Sequence, residues 1–137
     1  MMKLVQIPPE AARQTWPLID AWIEDATGRS NGRFTPDAIL AEIESGDQQL
    51  WIVWNTEKAE ARAVGVSQLL VYPTGMKVAD VIILTGEGRK DWKHVLTSFE
   101  EWAKEQGCGI AQVLARRGWA RELPDYKMSH VLLEKRL

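Results

Sequence analysis

The sequence predicts an α/β (α+β) fold: a mixed, mostly antiparallel sheet with one parallel strand pair and helices on both faces. Three strand-like runs, QLWIVWN, ARAVGVSQLLVY and KVADVIILT, follow one another with only TEKAE and PTGM between them, which is the pattern of an antiparallel meander. The connection from KVADVIILT to the next such run, IAQVLA, instead contains a whole amphipathic helix. That is long enough for a right-handed crossover, which sets these two strands parallel. A chain of 137 residues, 45% of them hydrophobic, has the size and apolar content for one domain over 1–137 with an ordinary core.

The elements follow in order. KLVQI alternates polar and apolar residues as a short strand does, and Pro8 and Pro9 end it. In PEAARQTWPLIDAWIEDATG, Ala12, Trp16, Ile19 and Ile23 recur at helical spacing, Pro17 marks a kink or break, and Gly28 closes the run. GRSNGRF reads as a solvated loop carrying Arg29 and Arg33. TPDAILAEIESG then has Thr35 as N-cap, Pro36 at the first helical position, Asp37 in the first turn and Gly46 past the end. After the meander, WKHVLTSFEEWAKEQG places Trp92, Val95, Leu96, Phe99, Trp102 and Ala103 on one helical face. IAQVLA is a strand, GWARELP a short helix stopped by Pro124, and MSHVLLEKRL a closing strand with a charged tail. Of the seven tryptophans, Trp16, Trp22, Trp92 and Trp102 have core spacing, while Trp51 and Trp54 have opposite parity in one strand, so one faces the core and the other a helix layer or an acceptor groove.

Charge and cysteine usage exclude several function classes. Seventeen basic against nineteen acidic side chains leave a net charge of −2, so no global field draws the chain to nucleic acid or anionic lipid. The only cysteine, Cys108, can form no intramolecular disulfide, and neither His94 nor His130 has metal-ligand company, so no metal is expected. No signal-peptide pattern and no window of roughly 20 apolar residues occurs, which points to a cytoplasmic protein with no membrane partner.

The junction between KVADVIILT and the crossover helix, TGEGRKD, holds the most suggestive chemistry. At a strand end leading into a helix, the first N–H groups are unpaired and the helix dipole favours an anion. Gly86 and Gly88 let backbone approach a ligand, Arg89 and Lys90 add charge, and Asp91 is placed to cap the helix instead. A plain glycine-rich turn with two exposed cations is the alternative, because a GxG alone is a weak motif.

The element order and this junction together resemble the GNAT family of acyl-CoA N-acyltransferases. The resemblance spans Lys3 to Leu137, and its most specific pieces are ADVIILTGEGRKDWKHVL and RRGWARELPDYKMSHVLLEKRL. It implies acyl-CoA, acetyl-CoA in the first place, as co-substrate and an amine, on a small molecule or a protein, as acceptor. A homodimer is compatible with it. It places the co-substrate along Ile82, Ile83, Leu84, Thr85, Gly86, Glu87, Gly88, Arg89 and Lys90, with the pyrophosphate on the amides of Gly86 to Arg89. Asp80 stands where the family carries a catalytic carboxylate. Two positions depart from the family pattern. Ile83 replaces the usual Gln or Arg of the loop, and Arg121 replaces the tyrosine that protonates the departing thiolate, with Trp119 beside it and Tyr126 as a packing aromatic. Arg116, Arg117 and Arg121 form a basic patch suited to the CoA 3′-phosphate or to solvent. The departures and the compact loop keep a second reading open. The chain also resembles divergent GNAT-like proteins of bacteriophages and prophages, which implies a virion or host-interaction module without acyl transfer.

Overall fold

The sheet has five strands in the spatial order β1 (Met2–Ile7), β2 (Gln48–Asn55), β3 (Glu60–Val71), β4 (Lys77–Gly86) and β5 (Ile110–Val113). The computed structural model describes all residues, 1–137. The first three pairings are antiparallel and the last, β4 with β5, is parallel, as the long crossover requires.

One face is covered by α1 (Ala12–Thr15), α2 (Asp20–Gly28) and α3 (Pro36–Glu44). Pro17 sits in a 3-10 turn, Trp16–Leu18, and separates α1 from α2. Thr35 caps α3 by accepting from the Ala38 amide at 3.2 Å. Ile19, at the cap of α2, and Ile23, Ile39 and Ile43 from these helices pack on Leu50, Ile52, Val64 and Val66 of the sheet. The opposite face carries α4 (Arg89–Trp92), α5 (Leu96–Glu105) and α6 (Gly118–Glu122). There Trp92 and Trp119 pack on Val53 and Ala63, and Phe99 and Ala103 pack on Trp51, Ala79 and Val81. The parity argument for the two strand tryptophans holds: Trp51 meets Phe99 and Trp102 edge-on at 5.5 and 5.0 Å, while Trp54 packs with the α1–α3 cluster.

Two β-bulges interrupt otherwise regular pairing. Arg62 is the extra residue of β3 against β2, since Val53 pairs with Ala63 and Trp54 with Ala61. Ile82 is the extra residue of β4 against β3, since Val66 pairs with Ile83 and Ser67 with Val81. A bulge bends its strand and raises the local twist. Pairing of β4 with β5 stops at Val81 and Val113, closed by a 2.9 Å bond from the Leu114 amide to the Val81 carbonyl, while β4 continues to Gly86 paired with β3 only.

Two sequence expectations need correction. The crossover helix is not continuous from Trp92, because α4 is followed by a 3-10 turn, Lys93–Val95, before α5 begins. Trp92 is the cause: it is fully buried, its indole donates to the Glu87 carbonyl at 2.7 Å, and its φ of −130° leaves the helical region. MSHVLLEKRL forms no strand. No backbone hydrogen bond is donated after Tyr126, and Val131, Leu132 and Leu133 are exposed. Three consecutive apolar residues define no single face, and a strand without a partner is unstable in water.

No helix is long and apolar enough to cross a membrane.

Candidate functional site

β4 leaves the sheet at Gly86 under tight constraint. A Cβ there would lie 2.4 Å from the Ala63 Cα and from the Arg62 carbonyl oxygen. The next amide, Glu87, donates to that same Arg62 carbonyl at 2.9 Å. Gly88 then turns the chain with φ 62° and ψ 45°, the left-handed region that glycine enters at least cost, and its carbonyl accepts from the Asp91 amide at 2.8 Å. The amides of Gly88, Arg89 and Lys90 find no acceptor in the protein. Successive free amides around a left-handed residue form a concave donor surface for an anion. Within the stretch Gly86 to Arg89 singled out from sequence, the Glu87 amide is therefore committed to the sheet, and the free donors run one residue further.

The side chains around this turn are mutually engaged. Arg62, aimed by its bulge, brings its guanidinium beside Gly88 and lies 3.6 Å from the Asp91 carboxylate. Nothing in the sequence marked Arg62 except its isolation as the one cation in ARAVGV. Arg89 lies over the Trp119 ring at 5.1 Å and pairs with Glu122 at 3.7 Å. The hydrogen bond from Lys93 at 3.2 Å, joined by the charges of Lys93, Arg89 and Lys90, holds the Glu122 carboxyl below its ordinary range against partial desolvation. Lys90 is exposed and makes no ion pair.

A cavity of about 520 Å³ opens where β4 and β5 part. Ile82, Ile83, Leu84, Thr85, Gly86, Gly88 and Arg89 form one wall; Glu87 and Lys90 do not line it. Leu114, Ala115 and Arg116 follow β5 along a second wall, and Trp92 and Trp119 also line it. The remainder comes from α2 and the α2–α3 loop, with Arg29, Asn31, Arg33 and Phe34, and from Leu132 and Glu134 of the C-terminal segment. Arg29 and Arg33, read from the sequence as a solvated loop, are exposed as expected and also border the cavity, where α2 packs over the end of β4. Four arginines line it; Arg29, Arg33 and Arg89 are ion-paired with Asp25, Glu134 and Glu122, and Arg116, without such a pair, leaves the wall a net positive charge.

The other sequence candidates lie apart from it. Asp80 is buried one position before the parting and accepts from the Gln68 and Gln112 side-chain amides at 2.9 and 3.1 Å. With Gln48 these residues form a polar row across β2, β3, β4 and β5. Arg117, Arg121 and His94 are exposed outside the cavity, and His130 faces Ser129. Tyr126 packs against the Trp92 cluster and donates to Glu100 at 2.7 Å; burial, then the Glu100 contact, raises its pKa. No tyrosine lines the cavity.

No protein-family model matches the sequence, and no curated protein matches it. Solved structures do. An aminoglycoside acetyltransferase from an uncultured soil metagenomic sample is 13% identical, with 99% of this chain and 96% of that chain covered, at a TM-score of 0.71. The ribosomal-protein-alanine N-acetyltransferase of Brucella melitensis biovar Abortus 2308 is 14% identical, with 98% and 99% covered, at 0.69. An acetyltransferase from Trypanosoma brucei is 8% identical over 100% of both chains, at 0.64. At such identities the likeness establishes architecture, and with the mixed five-stranded sheet and its single parallel pair it shows that the chain has the GNAT fold.

Proposed function

We propose that this protein transfers an acyl group, acetyl in the first place, from acyl-CoA to the nitrogen of an amine. The observation that carries this reading is the cavity at the parting of β4 and β5, bordered by Gly88 and Arg89, whose amides are unpaired. In this reading the amides of Gly88, Arg89 and Lys90 receive the CoA phosphates, with Arg89 and Lys90 adding charge. The pantetheine arm runs between the strands along Ile82 to Thr85. The edge of β4 beyond Val81, which has no strand partner, hydrogen-bonds the thioester carbonyl.

The chemistry then needs little from side chains. The amine nitrogen attacks the thioester carbon, a C–N bond forms, the C–S bond breaks, and CoA leaves as thiolate. Holding the two reactants in line supplies much of the acceleration. The amine proton passes to solvent or, through water, to Asp80, whose oxygens face Gln68 and Gln112 rather than the cavity.

Melting with and without CoA tests the reading. A ligand that binds only the folded state adds about 2.7 kcal/mol at one hundred times its dissociation constant, enough to raise Tm by roughly 5–10 °C. Pantetheine without phosphates should give much less. An unmoved melting curve at millimolar CoA, with calorimetry also silent, removes the proposal.

A binding module without transfer is the second reading, favoured by one observation: no tyrosine or other general acid stands over the cavity except the ion-paired Glu134. A CoA-induced shift with no acyl transfer to a panel of primary amines selects it.

A further inference from the structure

The C-terminal segment lies across the cavity with very little holding it. It donates no backbone hydrogen bond after Tyr126, and Leu132, which touches the cavity, is still 64% exposed. Its fastening to the body is Glu134, whose carboxylate accepts from the Asn31 side-chain amide and pairs with Arg33 at 2.8 Å. Asn31 and Arg33 belong to the loop between α2 and α3, so the segment reaches from α6 to the opposite wall.

The donors that hold Glu134 are suited to any anion. A guanidinium and a primary amide present N–H groups that fit a phosphate as well as a carboxylate. Arg29, the other cation of this loop, is already paired with Asp25, whereas the one carboxylate that Arg33 meets is Glu134, its other nitrogen donating to the Ser30 carbonyl at 3.2 Å. Lys135 and Arg136 lie beside the same loop but belong to the segment itself, so the donors that stay with the body are Asn31 and Arg33. The hydrogen bonds from Arg33 and then Asn31 hold the Glu134 carboxyl below its ordinary range, so it is ionised at neutral pH.

We propose that residues 128–137 form a strap in which Glu134 fills an anion site made by Asn31 and Arg33, and that an anionic group of the cavity's ligand takes those donors and releases the strap. Identification of that ligand as CoA rests on the function proposed above; the anion site itself does not. Release is easy because a segment with few buried contacts and no backbone bonds opens locally without disturbing the core.

Limited trypsin digestion followed by mass spectrometry reads the strap through cleavage after Lys127, Lys135 and Arg136, and calorimetry reads the anion. Inorganic pyrophosphate and CoA serve as probes against sodium chloride at equal ionic strength. Glu134→Gln should be cut several-fold faster than wild type without ligand. It should also bind pyrophosphate about two- to fivefold more tightly, the span expected for losing one exposed competing ion pair. Either probe should speed cleavage of wild type, and Arg33→Gln should free the strap yet lose the gain in anion affinity. Pyrophosphate effects without CoA effects leave the strap standing and count against CoA as ligand. Equal digestion of wild type and Glu134→Gln overturns the proposal, as does a Glu134→Gln variant that binds pyrophosphate no better than wild type.

Discussion

Alanine at each of the two junction glycines separates a glycine that packs from a glycine that turns. At Gly86 the new methyl group meets the Ala63 Cα and the Arg62 carbonyl at 2.4 Å, both backbone atoms of the neighbouring strand, and Ala63 is fully buried. Overpacking of this kind costs typically 1–3 kcal/mol, and with backbone on the far side the upper end, about 3 kcal/mol, applies. At Gly88 the methyl group meets the flexible end of Arg62, which swings aside; the cost is that of a left-handed alanine at φ 62°, about 1–1.5 kcal/mol. With about 2.1 cal/mol/K of unfolding entropy per residue, 137 residues give about 0.29 kcal/mol/K, so each kcal/mol moves Tm by about 3.5 °C. Gly86→Ala should therefore lose about 10 °C and Gly88→Ala about 4–5 °C, measured by circular dichroism with urea denaturation as the independent scale. Addition of CoA should still raise the Tm of Gly86→Ala, whereas Gly88→Ala, whose free amides are displaced, should lose most of that rise. Equal stability of the two variants, or a larger loss at Gly88, refutes the assignment of roles.

Two further outcomes follow from the same geometry. Asp80→Asn puts an amide donor against the Gln68 or Gln112 amide and should cost about 1 kcal/mol in urea denaturation; if Asp80 also takes the amine proton, the acyl-transfer rate at pH 7–9 should fall more than CoA affinity does, and an unchanged rate removes it from the chemistry. Tyr126, one of two tyrosines, has a folded pKa raised above its unfolded value near 10, so its contribution is intact below pH 10 and is lost as pH rises beyond that. Ultraviolet titration should therefore show a phenolate step that appears only with alkaline unfolding, and Tyr126→Phe should abolish that late step.

The fold was legible where local chemistry and tertiary packing ask for the same thing. Thr35, Pro36 and Asp37 fix the start of α3 through the cap itself, and Pro17 breaks the first helical run whatever surrounds it. The meander needed only strand-like runs and short connections. Legibility failed where a partner decides. The apolar periodicity from Trp92 to Ala103 is sound residue by residue, yet the helix breaks because burial of Trp92 and its bond to the Glu87 carbonyl outweigh the one-helix continuation. MSHVLLEKRL has strand-forming residues, but a strand exists only by pairing, and composition does not say whether an edge is waiting.

The site was half legible for a related reason. The junction could be found because glycines and cations cluster between a strand and a helix, but the division of labour between Gly86 and Gly88, and the arrival of Arg62, depend on the bulge in β3. Likewise the cavity depends on the bulge at Ile82, after which β4 and β5 no longer pair. A bulge shifts the facing of every later residue by one, so in a sheet with one wet face it shows as a break in polar and apolar alternation. Here helices cover both faces, and the stretch Val81, Ile82, Ile83 and Leu84 is apolar at every position, buried or half-buried against one layer or the other. With both parities apolar, the shift leaves no trace in the residue types. The features that open the ligand cavity are thus hidden by the same burial that makes the strand run easy to recognise.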